Sequence, residues 1–279
     1  MKAIFDDVSN QCSRAVTRAY STSFSAAVKM LSARIRQDIY NIYGFVRLAD
    51  EIVDTFHDYD KESLFDRFEA DLHLSLIEGI SLNPVLNAFS QTAARYNIPL
   101  DLINAFMKSM RQGPGKKDYA TFEEYSEYIY GSADVVGLMC LKVFTGNDDT
   151  CYEELKQPAM RLGSAFQKIN FLRDLKADME GLERNYFPSL NLAELDDNAK
   201  AQIIAEIEDD LHQGYLGIVR LPAEAKFGVY TAYVYYKMLL KKLKNTPPME
   251  IKNRRIRVPD YQKFGMLAKC YVSYRFNLI

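Results

Sequence analysis

The sequence has few of the residues that mark small secreted proteins and zinc modules. Tryptophan is absent from the 279 residues, and only four cysteines are present. These cysteines are well separated and form no C-x-x-C pair; they are Cys12, Cys140, Cys151 and Cys270. We therefore interpret them as reduced thiols of a cytosolic protein, and not as a disulfide framework or a zinc site.

Long uncharged apolar runs and an excess of one charge are also missing. No stretch of about 18 apolar residues is present to span a membrane. Asp6 and Asp7 lie near the N-terminus without an apolar segment beside them, so no secretory signal is expected. Lysine and arginine total 35 against 37 acidic residues, a net charge of −2. A nucleic-acid partner normally requires a basic excess, so none is expected.

Glycine and proline number only 13 and 9, and helical periodicity dominates the rest of the chain. Asn83 followed by Pro84 is typical of a helix cap and first turn. No alternating apolar and polar run predicts a sheet, and no linker divides the chain. We predict an all-α fold and a single domain over residues 1–279. The predicted helices are 2–19, 33–56, 61–79, 84–96, 99–111, 121–144, 150–179, 192–217, 221–245 and 259–276.

A polar stripe runs along one of the most apolar predicted helices, 33–56. Tyr43, Arg47, Asp50 and Asp54 follow the spacing i, i+4, i+7, i+11, which places them on one helix face. Two carboxylates in a mostly buried helix repel each other and lose hydration. Either Arg47 pairs with Asp50 in an internal salt bridge, or a divalent cation holds both carboxylates.

A second helix repeats this arrangement far along the chain. Gln167, Asn170, Asp174 and Asp178 again share one face, and Arg173 lies beside them. If the two helices face each other, four carboxylates converge. Magnesium and a phosphate-bearing ligand would turn that repulsive cluster into a site, and the arginines would clamp the phosphates.

These motifs resemble those of the squalene/phytoene synthase family. Residues 43–54 and 170–178 are similar to its two aspartate signatures, and residues 184–188, RNYFP, resemble the tail of the second. The likeness extends from residues 20–24, YSTSF, to residues 254–258, RRIRV. It implies an all-α isoprenoid synthase fold, a helical bundle around a central apolar cavity, and looks closest to the bacterial carotenoid enzymes.

The resemblance also implies a role for individual residues. A group of five would hold Mg²⁺, with Mn²⁺ as a substitute: Asp50, Asp54, Asn170, Asp174 and Asp178. A second group would bind diphosphate: Ser21, Ser23, Arg47, Gln167, Arg173, Tyr236 and Arg255. A third group would line the reacting centre: Tyr43, Tyr130, Tyr186 and Tyr236. Two positions depart from the family pattern, because Thr22 stands where some members carry lysine and Asp134 replaces a small residue.

The function implied by the resemblance is a magnesium-dependent, head-to-head condensation of two geranylgeranyl diphosphates. The product would be phytoene, formed through a cyclopropyl (prephytoene) diphosphate in carotenoid biosynthesis, and NADPH is not expected. The alternative is a squalene or dehydrosqualene synthase that acts on two farnesyl diphosphates. The expected location is the cytoplasm. The basic run Lys237, Lys241, Lys242 and Lys244 is either a solvated face or a peripheral contact with lipid at the inner face of the cytoplasmic membrane.

Three rival interpretations are less consistent with the residues. A di-iron bundle would use Glu-x-x-His, whereas Asp54-x-x-His57 and Asp209-x-x-His212 lack the glutamate. Head-to-tail elongation or terpene cyclisation usually requires Asp-Asp-x-x-Asp, and Ala49 interrupts that pattern. A non-enzymatic helical scaffold descended from the family would be expected to lose some of the four aspartates.

Overall fold

A computed structural model describes residues 1–113, 119, 121–181 and 195–276, without the side chains of residues 178–181, 260 and 264. Within these ranges the regular structure is helical throughout, with one π turn, Tyr130–Asp134, between α7 and α8. The helices are α1 Lys2–Tyr20, α2 Thr22–Lys29, α3 Ala33–Asp54, α4 Lys61–Glu78, α5 Pro84–Arg95, α6 Leu100–Gln112, α7 Phe122–Ile129, α8 Val135–Thr145, α9 Asp149–Gly181, α10 Asp197–Ile218, α11 Ala223–Lys244, α12 Pro248–Asn253 and α13 Asp260–Arg275.

Local capping residues set several helix boundaries. Asn83 accepts a hydrogen bond from the backbone N–H of Val85 at 3.0 Å, and Pro84 opens α5, as predicted. Ser21 ends α1 in an extended conformation and caps α2 by accepting from the N–H of Phe24 at 3.2 Å. The prediction missed α2, because its eight residues are too few to establish a helical period.

The core is built around α3, which is buried along most of its length. Phe45 is fully buried, stacks on Phe89 at 4.0 Å between ring centroids, and meets Phe106 edge-on at 5.3 Å. Burial of one such side chain stabilises the fold by about 1.5–3 kcal/mol. Helix α9 packs against α8, α10 and α11, so α3 and α9 hold the two polar stripes inside the bundle.

A π turn interrupts the helix predicted over residues 121–144. At this turn the neighbouring backbones approach closely, because a Cβ on Gly131 would lie 2.5 Å from Cβ of Ser109. On the opposite side, a Cβ on Gly163 would lie 2.9 Å from the carbonyl oxygen of Ala133. Wider turns of this kind are frequent at functional sites.

Two further boundaries differ from the prediction. Helix α12 lies between the predicted helices 221–245 and 259–276, where no helix was expected, and Pro248 supplies its first turn. Helix α10 begins at Asp197, whose neighbour Asp196 caps it, and not at residue 192. None of the described helices is both long and apolar enough to cross a membrane.

Candidate functional site

A cavity of about 370 Å³ lies between α2, α3, α8, α9, α10, α11 and the π turn. Its lining is mainly apolar, and the charged and amide side chains in it come from α3 and α9. We call these four residues the polar mouth: Arg47, Asp50, Gln167 and Asn170. Tyr236 of α11 also lines the cavity, and its hydroxyl donates to Oδ1 of Asn170 at 3.4 Å.

Arg47 is the most heavily engaged residue of the first stripe. Its guanidinium pairs with Asp50 and Glu51 and lies over the ring of Tyr20, 4.4 Å from the ring centroid. The salt bridge considered as one interpretation of this stripe is therefore present in the ligand-free chain. The Nε atom of Arg47 is nevertheless buried without a hydrogen-bond acceptor among the described residues. This guanidinium retains a donor for an incoming anion.

Two arginines converge on Asp174 in the second stripe. Arg173 donates from Nε to Oδ1 at 3.0 Å, and Arg255, which precedes α13, approaches the same oxygen at 2.7 Å. Burial lowers the pKa of Arg173, but the opposing effects together, led by the hydrogen bond to Asp174 and the charge of Asp174, outweigh it, so the pKa is raised. One carboxylate offsets only one of the two positive charges that these arginines bring.

Aromatic rings cover the cavity next to the polar mouth. Tyr43 stacks on Phe24 at 4.7 Å, and Tyr236 stacks on Phe166 at 3.9 Å with an interplanar angle of 13°. Burial raises the pKa of Tyr43 and of Tyr236, so both phenols remain protonated at neutral pH. Their π faces can attract a cation inside the otherwise apolar cavity.

The structure brings most of the predicted site residues together. Six of them line the cavity: Tyr43, Arg47, Asp50, Gln167, Asn170 and Tyr236. Asp174 lies one helical turn beyond Asn170, and Arg173 and Arg255 are its ion-pair partners. Ser21 caps α2 and hydrogen-bonds Tyr43, whereas Ser23 sits half-buried in the first turn of α2 and does not line the cavity.

Other predicted residues are placed differently or lie outside the description. Tyr130, predicted to line the reacting centre, is 37% exposed at the first position of the π turn, and its role stays a prediction. Its neighbours Tyr128 and Ser132 line the cavity. Asp54 is half-buried at the end of α3. The side chain of Asp178 and all of Tyr186 lie outside the described residues.

The oxygen donors at the polar mouth fit a hard divalent cation. Asp50 supplies a carboxylate and Asn170 an amide oxygen at the same cavity, and Asp174 follows one turn beyond. Magnesium prefers one or two carboxylates together with water and substrate phosphate oxygens. Among the described side chains, no three acidic, histidine or cysteine residues come together as a metal site. The side chain of Asp178 is not among those described. A closed, all-protein metal cage is therefore not formed by the described side chains.

Asp134, the acidic departure from the family pattern, lies next to the cavity lining but does not join it. Its carboxylate accepts a hydrogen bond from Oγ of Ser164 at 2.7 Å, and only 7% of the residue is exposed. Burial raises its pKa to about 7, against the opposing effects of Ser164 and Lys168. Asp134 thus ties the π turn to α9.

Sequence reasoning missed three rings of this site. Phe24, Phe166 and Tyr128 all line the cavity. Phe166 precedes Asn170 by four residues, so its position on the polar stripe of α9 was visible in the spacing. Tyr128 lies in α7, just before the π turn, and no sequence pattern indicated that it lines the cavity.

Comparisons with known proteins agree with this geometry. Residues 17–262 match the family model of squalene/phytoene synthase. The chain is 27% identical over 278 residues to phytoene synthase 3, chloroplastic, of Zea mays, covering 92% of this chain and 64% of that protein. It is 26% identical over 280 residues to the phytoene synthase of Arthrospira platensis, covering 91% and 89%.

A solved structure gives the corresponding result for the fold. A crystal structure of a dehydrosqualene synthase in complex with ligand superposes with a TM-score of 0.81 at 20% identity, covering 97% of this chain and 98% of that one. This likeness confirms the predicted all-α isoprenoid synthase fold.

Proposed function

The chain belongs to the squalene/phytoene synthase family of prenyltransferases, and we propose that it joins two geranylgeranyl diphosphates head to head to form phytoene. The observation that carries this proposal is the apolar cavity with one guanidinium, one carboxylate and two amides at its polar mouth. A prenyl diphosphate has the matching division into a long hydrocarbon chain and a highly charged head. The relatives named phytoene synthase favour the C20 substrate.

The cavity extends along α9 far enough to take a long hydrocarbon chain. Leu155 and Asn170 both line it, and fifteen residues of helix separate them by about 22 Å. Between them the wall is formed by apolar residues and glycine, including Leu162, Gly163 and Phe166. A diphosphate held at the polar mouth would direct its chain into this space.

Charge neutralisation is the task of the polar mouth and its neighbours. Asp50, Asn170 and Asp174, with Asp54 and Asp178, would hold Mg²⁺, which would supply positive charge to stabilise the departing diphosphate. Arg47, Arg173 and Arg255 would each exchange a carboxylate partner for phosphate oxygens. Guanidinium groups are suited to that exchange, because they bind either anion through paired N–H donors.

The apolar wall would protect the reactive carbon centres from water. In the first step, the C–O bond of one diphosphate breaks, and the double bond of the second substrate attacks the allylic cation. Loss of a proton then gives a cyclopropylcarbinyl diphosphate. In the second step its C–O bond breaks, the carbon skeleton rearranges, and a second proton is lost. The balance is one C40 hydrocarbon, two diphosphates and two protons, with no reductant consumed.

Aromatic side chains would stabilise the cations formed in both steps. Tyr43 and Tyr236 present ring faces close to the polar mouth, and Phe24 and Phe166 hold those rings by stacking. Cation–π attraction of about 2 kcal/mol is expected when the cation is desolvated. The released diphosphate is the nearest strong acceptor for the protons.

The test is incubation of the purified protein with Mg²⁺ and either geranylgeranyl or farnesyl diphosphate, with and without NADPH, followed by mass analysis of the hydrocarbon. We expect a C40 hydrocarbon from the C20 substrate without NADPH. A C30 product from the C15 substrate alone would replace phytoene with dehydrosqualene, or with squalene if NADPH is required. No hydrocarbon from either substrate would overturn the enzymatic proposal in favour of a helical scaffold.

A further inference from the structure

A second pocket, of about 500 Å³, lies between α1, α2 and the start of α3. It shares no lining residue with the catalytic cavity. Four cations line it: Arg14, Arg18, Lys29 and Arg36. No acidic residue does so, although the chain as a whole carries a net charge of −2. Such a concentration of one charge is unusual in an otherwise balanced sequence and requires an explanation.

The four cations find only neutral partners within the described residues. Arg14 donates to the amide oxygen Oε1 of Gln37 at 2.6 Å, and Arg36 donates to the carbonyl oxygen of Leu31 at 2.8 Å. Arg18 and Lys29 are exposed at the rim. Elsewhere in the described chain most arginines are paired with carboxylates, so the mutual repulsion in this pocket is left without an internal counter-charge.

Two polar atoms at the base of the pocket are buried and unpartnered. Tyr40 is only 2% exposed, lines the pocket, and its hydroxyl has no hydrogen-bond partner among the described residues. The Nε of Arg36 is buried and equally without an acceptor. Buried donors are nearly always satisfied in folded proteins. Both atoms can donate, so an acceptor is the missing partner.

The start of α3 adds to the positive potential. Ala33, the first residue of this 22-residue helix, also lines the pocket. The N-terminus of a helix carries a partial positive charge and favours phosphate groups. Side-chain charge, buried donors and helix polarity therefore all select the same kind of ligand.

We propose that this pocket is an anion-binding site for a phosphate-bearing group, separate from the catalytic diphosphate site. The ligand chemistry is a phosphate monoester or diphosphate, either free or on a lipid head group. Arg14 and Arg36 would bind its oxygens, the Tyr40 hydroxyl would donate from below, and Arg18 and Lys29 would close the rim. Because α1, α2 and α3 all contribute, an occupied site would fix α2 against α3.

The test measures binding of inorganic diphosphate by calorimetry in metal-free buffer containing EDTA at low ionic strength. Wild type is compared with an Arg18→Gln/Lys29→Gln variant, whose exposed side chains make no hydrogen bond or ion pair to the part of the chain that the structure describes. We expect this variant to lose about tenfold or more in affinity, because each charge-assisted hydrogen bond to phosphate is lost. A Tyr40→Phe variant should lose about threefold, since it removes one neutral donor.

A matched control carries the same charge change at a distance. Arg67 and Arg275 are exposed on α4 and α13, outside this pocket, and Arg67→Gln/Arg275→Gln should bind as wild type does. A parallel arm measures sedimentation with phosphatidylglycerol or phosphatidylcholine vesicles. If Arg18→Gln/Lys29→Gln binds diphosphate more weakly than wild type but binds phosphatidylglycerol vesicles equally well, the ligand is a free phosphate. If the variant also loses binding to phosphatidylglycerol vesicles, the ligand is a lipid head group.

Two results would overturn the proposal. One is equal binding of both probes by wild type and Arg18→Gln/Lys29→Gln. The other is an equal loss in the control variant, which would reduce the effect to net charge. Because no divalent metal is present, neither result bears on the proposed prenyl transfer.

Discussion

Arg255 places its Nε 2.7 Å from Oδ1 of Asp174, although 81 residues separate the two in the chain. The segment between α12 and α13 thus closes over the second polar stripe of α9. Asp174 is 21% exposed at its side chain, and Arg255 is 48% exposed. The pair therefore lies where a charged ligand could enter and take the carboxylate's place.

Removal of single carboxylates tests the metal assignment. Asp50→Asn and Asp174→Asn should each lower turnover by at least about 100-fold, because loss of charge stabilisation at a reacting centre costs that much. The helical circular dichroism should stay near that of wild type, since both side chains lie at a partly open mouth. Asp71→Asn, at an exposed position of α4, is the matched control and should be fully active. Full activity of both site variants would remove the metal assignment.

Arg255 and its neighbour Arg254 form a natural pair for a second test. Arg254 is exposed and pairs with Glu250, away from Asp174. Arg255→Gln should raise KM for the prenyl diphosphate about tenfold, because one charge-assisted contact to phosphate is lost. Arg254→Gln should leave KM unchanged. Steady-state kinetics on both variants measure these KM values. An equal rise in KM for Arg255→Gln and Arg254→Gln would argue against a direct phosphate contact by Arg255.

The buried carboxyl group of Asp134 should make the free energy of unfolding depend on pH. Its folded pKa, raised by burial to about 7 from an ordinary value of 3.8, means that the folded state holds this proton more tightly than the unfolded state. Its stabilising contribution is therefore present at low pH and is lost as pH rises from about 4 to about 7. Asp134→Asn should be more stable than wild type above pH 7, by at most about 4 kcal/mol.

Urea denaturation at pH 5 and pH 8 measures this difference. Asparagine can still accept from Ser164, so the hydrogen bond to α9 is kept. The stability gain of Asp134→Asn should grow between the two pH values. A gain that is the same at both would show that Asp134 does not titrate in this range.

Replacing two helical glycines, Gly163 and Gly265, by alanine should change the free energy of unfolding in opposite directions. At Gly163 a Cβ would meet the backbone of Ala133, and the resulting overpacking should cost about 1–3 kcal/mol. A Cβ on Gly265 would meet no described atom within 4 Å beyond the backbone of its own helix, so alanine should stabilise α13 by about 0.5–1 kcal/mol. Chemical denaturation of Gly163→Ala and Gly265→Ala gives the two signs. A tolerated Gly163→Ala would contradict the close contact between α9 and the π turn.

Long periodic helices were predictable, and the shorter and irregular elements were not. The predicted 33–56 and 150–179 correspond to α3, Ala33–Asp54, and α9, Asp149–Gly181, because their apolar faces repeat over many turns. Helix α2 and the π turn escaped prediction. One is too short to show a period, and the other depends on the fit of Gly131 against α6.

The sequence by itself determined that two helices carry polar stripes with carboxylates at helical spacing, because that spacing is fixed by 3.6 residues per turn. The resemblance to the family added candidate phosphate-binding residues, whose roles stay a prediction. Only the tertiary structure decided that Arg255 reaches Asp174, that Tyr128 lines the cavity, and that four cations and Tyr40 line one pocket. Those relationships depend on how helices distant in the chain pack against each other, and no local pattern encodes that packing.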